Sequence, residues 1–293
     1  MTQLVQALVL GLLIGGVYAL MASGLTLIFG VMNIINVAHG ALLILVAFIT
    51  WKIWSLTGVD PILLAVVMTP LMFGFGWLLY KGVLSRISGS SPGMSVLLTF
   101  GIAITIEGVL NVTAGNKFRS ATPSYFSESY RVLGISLPKA QVYGCLAAVL
   151  VLGLLYVVLA RTWTGRAIRA TAQNSSGAAL VGIQASAVAA LAFAIGTATT
   201  GVGGSILSVL YPFFPASHYD WISRLLGIIV LGGMGSLAGA LIGALILGLA
   251  ETLTATYGSL QWSTLIFYAV ILVVLLFRPQ GLFGSRLRQD VMA

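Results

Sequence analysis

The sequence predicts an all-α polytopic membrane protein with repeated transmembrane helices, some of them broken or re-entrant. Only 7% of its 293 residues are charged and 59% are hydrophobic, with a mean hydropathy of +1.08, whereas a soluble domain carries about 25% charged residues. Apolar runs of about 20 residues, the length that crosses a hydrocarbon core as a helix, recur along the chain. They are longer and less alternating than the strands of a membrane barrel. Residues 1–293 therefore read as one transmembrane domain.

The first run, Leu4 to Phe29, is long enough to span with some tilt. Residues 1–51 contain no Asp, Glu, Lys or Arg, so the orientation of this part is unmarked. No basic residue precedes Lys52, so the start lacks the flank of a cleavable signal peptide, and the first helix is expected to stay. The run is interrupted at Asn33-Ile34-Ile35-Asn36-Val37-Ala38-His39-Gly40 and resumes over Ala41 to Trp54. Thr57 to Pro61 is a turn with proline at a helix start, and Ile62 to Tyr80 is the next span. Lys81 to Gly93 is a loop containing Arg86. Met94 to Thr113 spans again and carries Glu107. Residues 114–141 form a long polar loop, and Val142 to Ala160 crosses back, carrying Cys145. As the sole cysteine, it excludes an internal disulfide and a cysteine metal cluster.

Arg161, Arg166 and Arg169 mark segment 161–186 as cytoplasmic, because basic loop residues set membrane orientation. The same rule accounts for the net charge of +8 without a nucleic-acid partner; membrane lipid is the expected surrounding. Loop 114–141 then lies outside, despite Lys117, Arg119, Arg131 and Lys139 against Glu128 alone. Arg278, Arg286 and Arg288 agree with a cytoplasmic C-terminus. Ser186 to Leu210 crosses outward and Trp262 to Phe277 returns, so residues 224–257 must cross an even number of times. The chain is therefore expected to turn back within Gly232-Gly233-Met234-Gly235-Ser236, as a hairpin or re-entrant element. Such a break is tolerated at membrane depth only where protein or water satisfies the backbone.

Interrupted spans in opposite halves of a chain point to a substrate route. The candidate lining is Asn33, Asn36, His39, Gly40, Glu107, Gly232, Gly233 and Gly235. Each has an alternative reading. His39, Asn33 and Asn36 are also residues that cap helix segments at a break. Glu107 is an ionisable group on a span, either touching substrate or satisfied by Asn111 one turn later or by water. Glu251 reads as a solvated helix end. His218 and Asp220, in the aromatic-rich stretch Tyr211 to Trp221, read as an outer surface able to meet a binding protein.

Thr164 to Ile183 is the one internal stretch where apolar composition yields to basic and small polar residues. It reads as a compact amphipathic helix, capped by Asn174, Ser175 or Ser176 and stopped near Gly182. A helix of about two turns is unstable alone in water and needs a partner or the membrane face. Gly165, Arg166, Arg169, Ser175, Ser176, Ala178, Ala179, Leu180 and Gly182 are its candidate docking residues; the alternative is an ordinary amphipathic loop.

Gly165-Arg166-Ala167, Arg169-Ala170 and Ala178-Ala179-Leu180-Val181-Gly182-Ile183 together resemble the coupling motif of branched-chain amino acid ABC importer permeases, the LivH type. Asn36-Val37-Ala38-His39-Gly40 resembles that family's amino-terminal signature. Leu231-Gly232-Gly233-Met234-Gly235-Ser236 with Gly239-Ala240 and Gly243 resembles its late glycine motif, and Arg278 to Gly284 its carboxy-terminal one. The four motifs follow the family's order over nearly the whole chain. The resemblance implies a bacterial-type inner-membrane permease of about eight transmembrane helices, with a second permease subunit (LivM-like, or a second copy), two cytoplasmic ATPases and a periplasmic or lipid-anchored substrate-binding protein. ATP and Mg would be bound by the ATPases, with no cofactor in this chain. Two departures stand out. Ala172-Gln173-Asn174 replaces the family's frequent Ala-Glu-Asp, leaving the motif without an acid, and Ala41 follows Gly40 where Glu is common.

None of Lys52, Lys81, Lys117 and Lys139 follows a glycine, so the chain has no phosphate-binding loop of its own. Energy must come from another polypeptide or from an ion gradient. The competing class is thus an ion-coupled transporter or channel in which Glu107 or Glu251 carries a proton. No nucleophile or metal constellation points to an enzyme.

Overall fold

The computed structural model describes residues 2–87, 92–132 and 134–284. Its helices are α1 (Thr2–Met32), α2 (Ala38–Thr57), α3 (Pro61–Gly82), α4 (Pro92–Ala114), α5 (Lys139–Arg161), α6 (Trp163–Gln173), α7 (Ser175–Leu180), α8 (Ala185–Leu210), α9 (His218–Gly232), α10 (Leu237–Tyr257) and α11 (Leu260–Phe277). Seven of them, α1 to α5, α8 and α10, are long and apolar enough to cross a membrane, and α11 is a shorter apolar helix. With α9, of 15 residues, they form an all-α polytopic bundle.

Local chemistry sets the helix ends. Asp60 accepts the backbone N–H groups of Ile62 and Leu63 at 2.8 and 3.1 Å just ahead of Pro61, joining an N-cap to a proline whose missing donor costs nothing there. Asn33 takes a φ of 53° after the last residue of α1, a left-handed conformation that asparagine adopts at low cost. The break is therefore confined to 33–37, and His39 and Gly40 belong to the first turn of α2.

α1 is the central helix and runs antiparallel to α8 and α10. Gly11 and Gly15 face the backbones of Leu249 and Leu245, and Gly30 lies against Gly235. Small residues of this kind let membrane helices approach closely. Tyr18, Met21 and Leu25 of α1 share one core with Leu43 and Ile44 of α2, Val202 and Ile206 of α8, Leu225 and Ile228 of α9, Leu247 of α10 and Phe267 of α11.

The bundle has two distinct ends. At one, Leu27 and Val31 of α1 meet Leu159 of α5, Ile168 of α6 and Val188 of α8. The C-terminal segment joins this end, where Leu282 and Phe283 donate their backbone N–H groups to the carbonyls of Leu231 and Gly232. At the other end lies an antiparallel hairpin, β1 (Ser129–Val132) with β2 (Ile135–Pro138), beside the amino half of α1. Part of the expected loop is thus ordered, and its last residues, Lys139 to Gln141, open α5. Two of its four cations are engaged: Lys139 pairs with Glu128, and Arg119 stacks 4.5 Å over Trp51.

The chain does reverse between α9 and α10, through Gly233 to Ser236. A Cβ on Gly232 would overlap the carbonyl of Gly239, and one on Gly239 the carbonyl of Gly232, so both positions need glycine for backbone contact. Arg286 and Arg288 lie outside the described residues.

Candidate functional site

The stretch expected to be one amphipathic helix is two. Thr162 caps α6 by accepting from Gly165 N–H at 3.0 Å, and Asn174 caps α7 by accepting from Gly177 N–H at 2.8 Å. Asn174 cannot remain helical while capping, because its backbone is extended at φ −154° and ψ 101°, and this splits the segment. Past α7, Gly182 N–H donates to Ala179 O and Ile183 N–H to Ala178 O, with Gly182 at φ 82°. This paired bonding with a left-handed residue closes a helix end.

The two short helices are held by their inner faces. Gly165, Ala167, Ile168 and Thr171 of α6 are buried, as is Ala178 of α7. Arg166 and Arg169, one turn apart, are exposed, as are Ser175, Ser176 and Ala179. Arg166 lies 5.3 Å from the centre of the Trp163 ring. Leu180 and Val181 are 89% and 76% exposed. Beside them, a cleft of about 330 Å³ opens between Trp163, Thr164 and Ile168 on one side and Val181 to Gln184 on the other. The result is a projecting apolar corner beside a cleft, on an element that also exposes two cations.

A second constellation lies inside the bundle, where α2 and α9 begin side by side. Gly40 packs directly on the His218 carbonyl and Ile222. His39 is fully buried, its Nε2 3.1 Å from the Met21 carbonyl, and Asn36 is equally buried with neither side-chain polar atom hydrogen-bonded among the described residues. Neither residue caps α2 through its side chain. Thr99 of α4 instead accepts from Val37 N–H at 3.2 Å. Asn33 points to solvent at the α6–α7 end.

Glu107 pairs with His218 Nε2 at 2.9 Å, not with Asn111. His218 is only 1% exposed, which corrects its expected place on an outer surface. Across α9, Glu251 accepts from Tyr18 Oη and from Arg224 Nη1, both at 2.8 Å, and the Tyr18 and Tyr211 hydroxyls lie 3.3 Å apart. Glu251 is therefore a partnered group, not a freely solvated helix end. Tyr18, Thr99, Tyr211 and Arg224 were missed in the sequence. Arg224 carried a usable signal: an arginine within an apolar helix needs a carboxylate, and Glu251 is one of few available.

The candidate lining thus divides. Asn36, His39, Gly40 and Glu107 gather around the start of α9. Gly232, Gly233 and Gly235 sit at the α6–α7 end, in the turn and against Phe283 and Gly284.

Residues 7–275 match the family described as branched-chain amino acid transport system / permease component. The chain is 29% identical over 288 residues to the high-affinity branched-chain amino acid transport system permease protein LivH of Salmonella typhimurium, covering 94% of this chain and 93% of that protein. It is 29% identical over 294 residues to BraD of Pseudomonas aeruginosa, covering 95% of each, and 25% identical over 261 residues to the fructose import permease protein FruG of Bifidobacterium longum, covering 82% of this chain and 73% of that one. No solved structure matches. With a match spanning nearly its full length, the chain belongs to the branched-chain amino acid transport system permease component family.

Proposed function

We propose that this permease carries a branched-chain amino acid or a related small organic solute across the membrane, driven by separate ATPase subunits that dock on α6 and α7. The observation that carries this reading is the apolar corner of Leu180 and Val181, 89% and 76% exposed at the closed end of the capped α7, with Arg166 and Arg169 exposed on the preceding helix. Four leucine and valine methyl groups exposed on a short helix gain from burial in a partner's groove. No acid lies in the segment, so shape and apolar contact contribute more than charge pairing. ATP and Mg belong to the ATPases. A second permease subunit, LivM-like or a second copy, completes the pathway, and a periplasmic or lipid-anchored binding protein delivers the solute at the hairpin end.

Orientation follows the same reading. Among the described residues the α6–α7 end carries Lys81, Arg86, Arg161, Arg166, Arg169 and Arg278 and no acid, the bias of a cytoplasmic face. Asn36, His39 and Glu107, where α2 and α9 begin, would line the route once it opens, since Asn36 and His39 are fully buried in this packing. ATPase docking shifts the inward–outward equilibrium only by the difference in its affinity for the two states.

The test is a double reversal, Arg166→Glu with Arg169→Glu, alongside Leu180→Asp. Each is expected to abolish solute uptake and co-purification of the ATPases while leaving the melting temperature of the permease unchanged. Full docking and uptake in both variants would overturn the coupling role. The Glu107–His218 pair, with His218 buried and Glu107 partly exposed, favours one second reading, proton-coupled transport. Uptake into vesicles holding the permease without ATPases, driven by a pH gradient, would decide for that alternative; none is expected.

A further inference from the structure

α2 begins inside the bundle and not at its edge. α1 reaches the α6–α7 end at Met32, and the irregular residues 33–36 carry the chain back inward. His39, in the first turn of α2, lies with Nε2 3.1 Å from the Met21 carbonyl. From Met21 to Met32 is about 16 Å along a helix, so α2 starts near the middle of a hydrocarbon core about 30 Å thick. Gly40 packs on the His218 carbonyl and Ile222, which closes protein around this start.

The start of α2 is electrically open. Val37 makes no side-chain cap hydrogen bond and the first turn holds no acid, so nothing local offsets the positive end of a 20-residue helix. The start of α9 differs: Asp220 stands in its first turn, and a Glu107 carboxylate oxygen lies 2.9 Å from His218, its first residue. The other acids among the described residues are engaged elsewhere. Asp60 caps α3, Glu128 pairs with Lys139, and Glu251 with Arg224.

The same start holds an unpaired amide. Thr99 Oγ1 accepts Val37 N–H at 3.2 Å and lies 3.3 Å from the Ile35 carbonyl, which satisfies the backbone on both sides of Asn36. The Asn36 side chain is 0% exposed, and neither Nδ2 nor Oδ1 has a hydrogen-bond partner among the described residues. Folded proteins seldom bury an amide in this way unless a water or a ligand completes it. Broken helices whose interior starts face a solute's anionic group are a recurring transporter device.

The chemistry selects the ligand group. An open helix start favours negative charge, and the amide N–H donates to it. α1, α4 and α2 up to Trp51 carry no lysine or arginine, which suits a carboxylate and not a phosphate, for which fixed cations are the usual partners. His39 Nδ1 is also unpartnered. With Nε2 donating to a carbonyl, Nδ1 is an acceptor, fit for a donor group beside the carboxylate.

We infer that the start of α2 is the subsite for the carboxylate of the transported solute, with Asn36 Nδ2 as its side-chain donor and the positive end of α2 behind it. This rests on the transport reading above and adds the group that is recognised. The subsite is closed in this packing and opens as the route opens.

The test uses the permease–ATPase complex in lipid nanodiscs, without binding protein, and two probes of the same shape, leucine and leucinamide. Wild type is expected to bind leucine tighter by on the order of tenfold, as one charge-assisted hydrogen bond provides. Asn36→Leu should weaken leucine binding by a similar factor with the melting temperature unchanged, because an unpaired amide leaves no orphaned partner when removed. Asn36→Asp, which supplies a carboxylate of its own, should abolish leucine binding. Equal binding of the two probes, no leucine binding by wild type, unchanged binding in Asn36→Leu, or loss of binding only together with a lowered melting temperature overturns the inference. ATP-driven leucine uptake into proteoliposomes is measured alongside. Uptake that persists when the binding results fail removes the subsite and leaves the proposed function standing; carboxylate-selective binding without ATP-driven uptake does the reverse.

Discussion

Arg224 and Glu251 come from neighbouring helices of a bundle with few charges, and each neutralises the other where an unpaired charge is costly. Tyr18 donates to the same carboxylate, so the pair is hydrogen-bonded as well as ionic. Breaking it by Glu251→Leu leaves the guanidinium uncompensated and is expected to cost about 1–3 kcal/mol, less than for a fully buried pair because both side chains keep some exposure, read as a lowered melting temperature. Arg224→Met on the Glu251→Leu background should recover most of that loss, since apolar replacement of both partners removes the desolvation cost. At the α9–α10 turn, Gly239→Ala drives a methyl into the Gly232 carbonyl. Overpacking of this type costs about 1–3 kcal/mol, and folded yield in detergent should fall accordingly. The need for glycine at these sites was visible as a motif, but its cause, carbonyl contact between two antiparallel helices, was not.

The α6–α7 element shows how local signals and tertiary support divide the work. Asn174, Ser175 and Ser176 were all plausible caps by residue type, and the stop at Gly182 was legible because only a few residues tolerate a left-handed conformation. The split into two helices was not, since it depends on Asn174 leaving the helix to cap the next one while Ile168 anchors in the cluster formed by α1, α5 and α8. Asn174→Ala should weaken α7 by about 1 kcal/mol, and Gly182→Ala by about the same through its positive φ. Both should speed hydrogen exchange over 175–183 and reduce ATPase-coupled uptake, with exchange in α1 and α8 unaltered. Unchanged exchange in 175–183 would show that the caps do not hold the element.

At the scale of the whole molecule, α1 enters from the hairpin end while the C-terminal segment lies against the α9–α10 turn, so the ends of the described chain fall on opposite faces. With Cys145→Ala as background, a membrane-impermeant thiol reagent should label Thr2→Cys on intact cells and Gly284→Cys only after permeabilisation. Labelling of both from outside would refute this arrangement. The sequence by itself determined the membrane class, the approximate helix number, the reversal between residues 232 and 236 and the short element between two spans. Those features follow from segment length, composition and local caps. Only the tertiary structure decided which polar groups meet. Glu107 and His218 lie 111 residues apart and Tyr18 and Glu251 lie 233 apart. A helix such as α1 carries apolar residues on every face, so it has no stripe that says which face turns inward. Partner choice then rests on close backbone approach and on the cost of leaving a buried charge alone, and both exist only once the bundle is assembled.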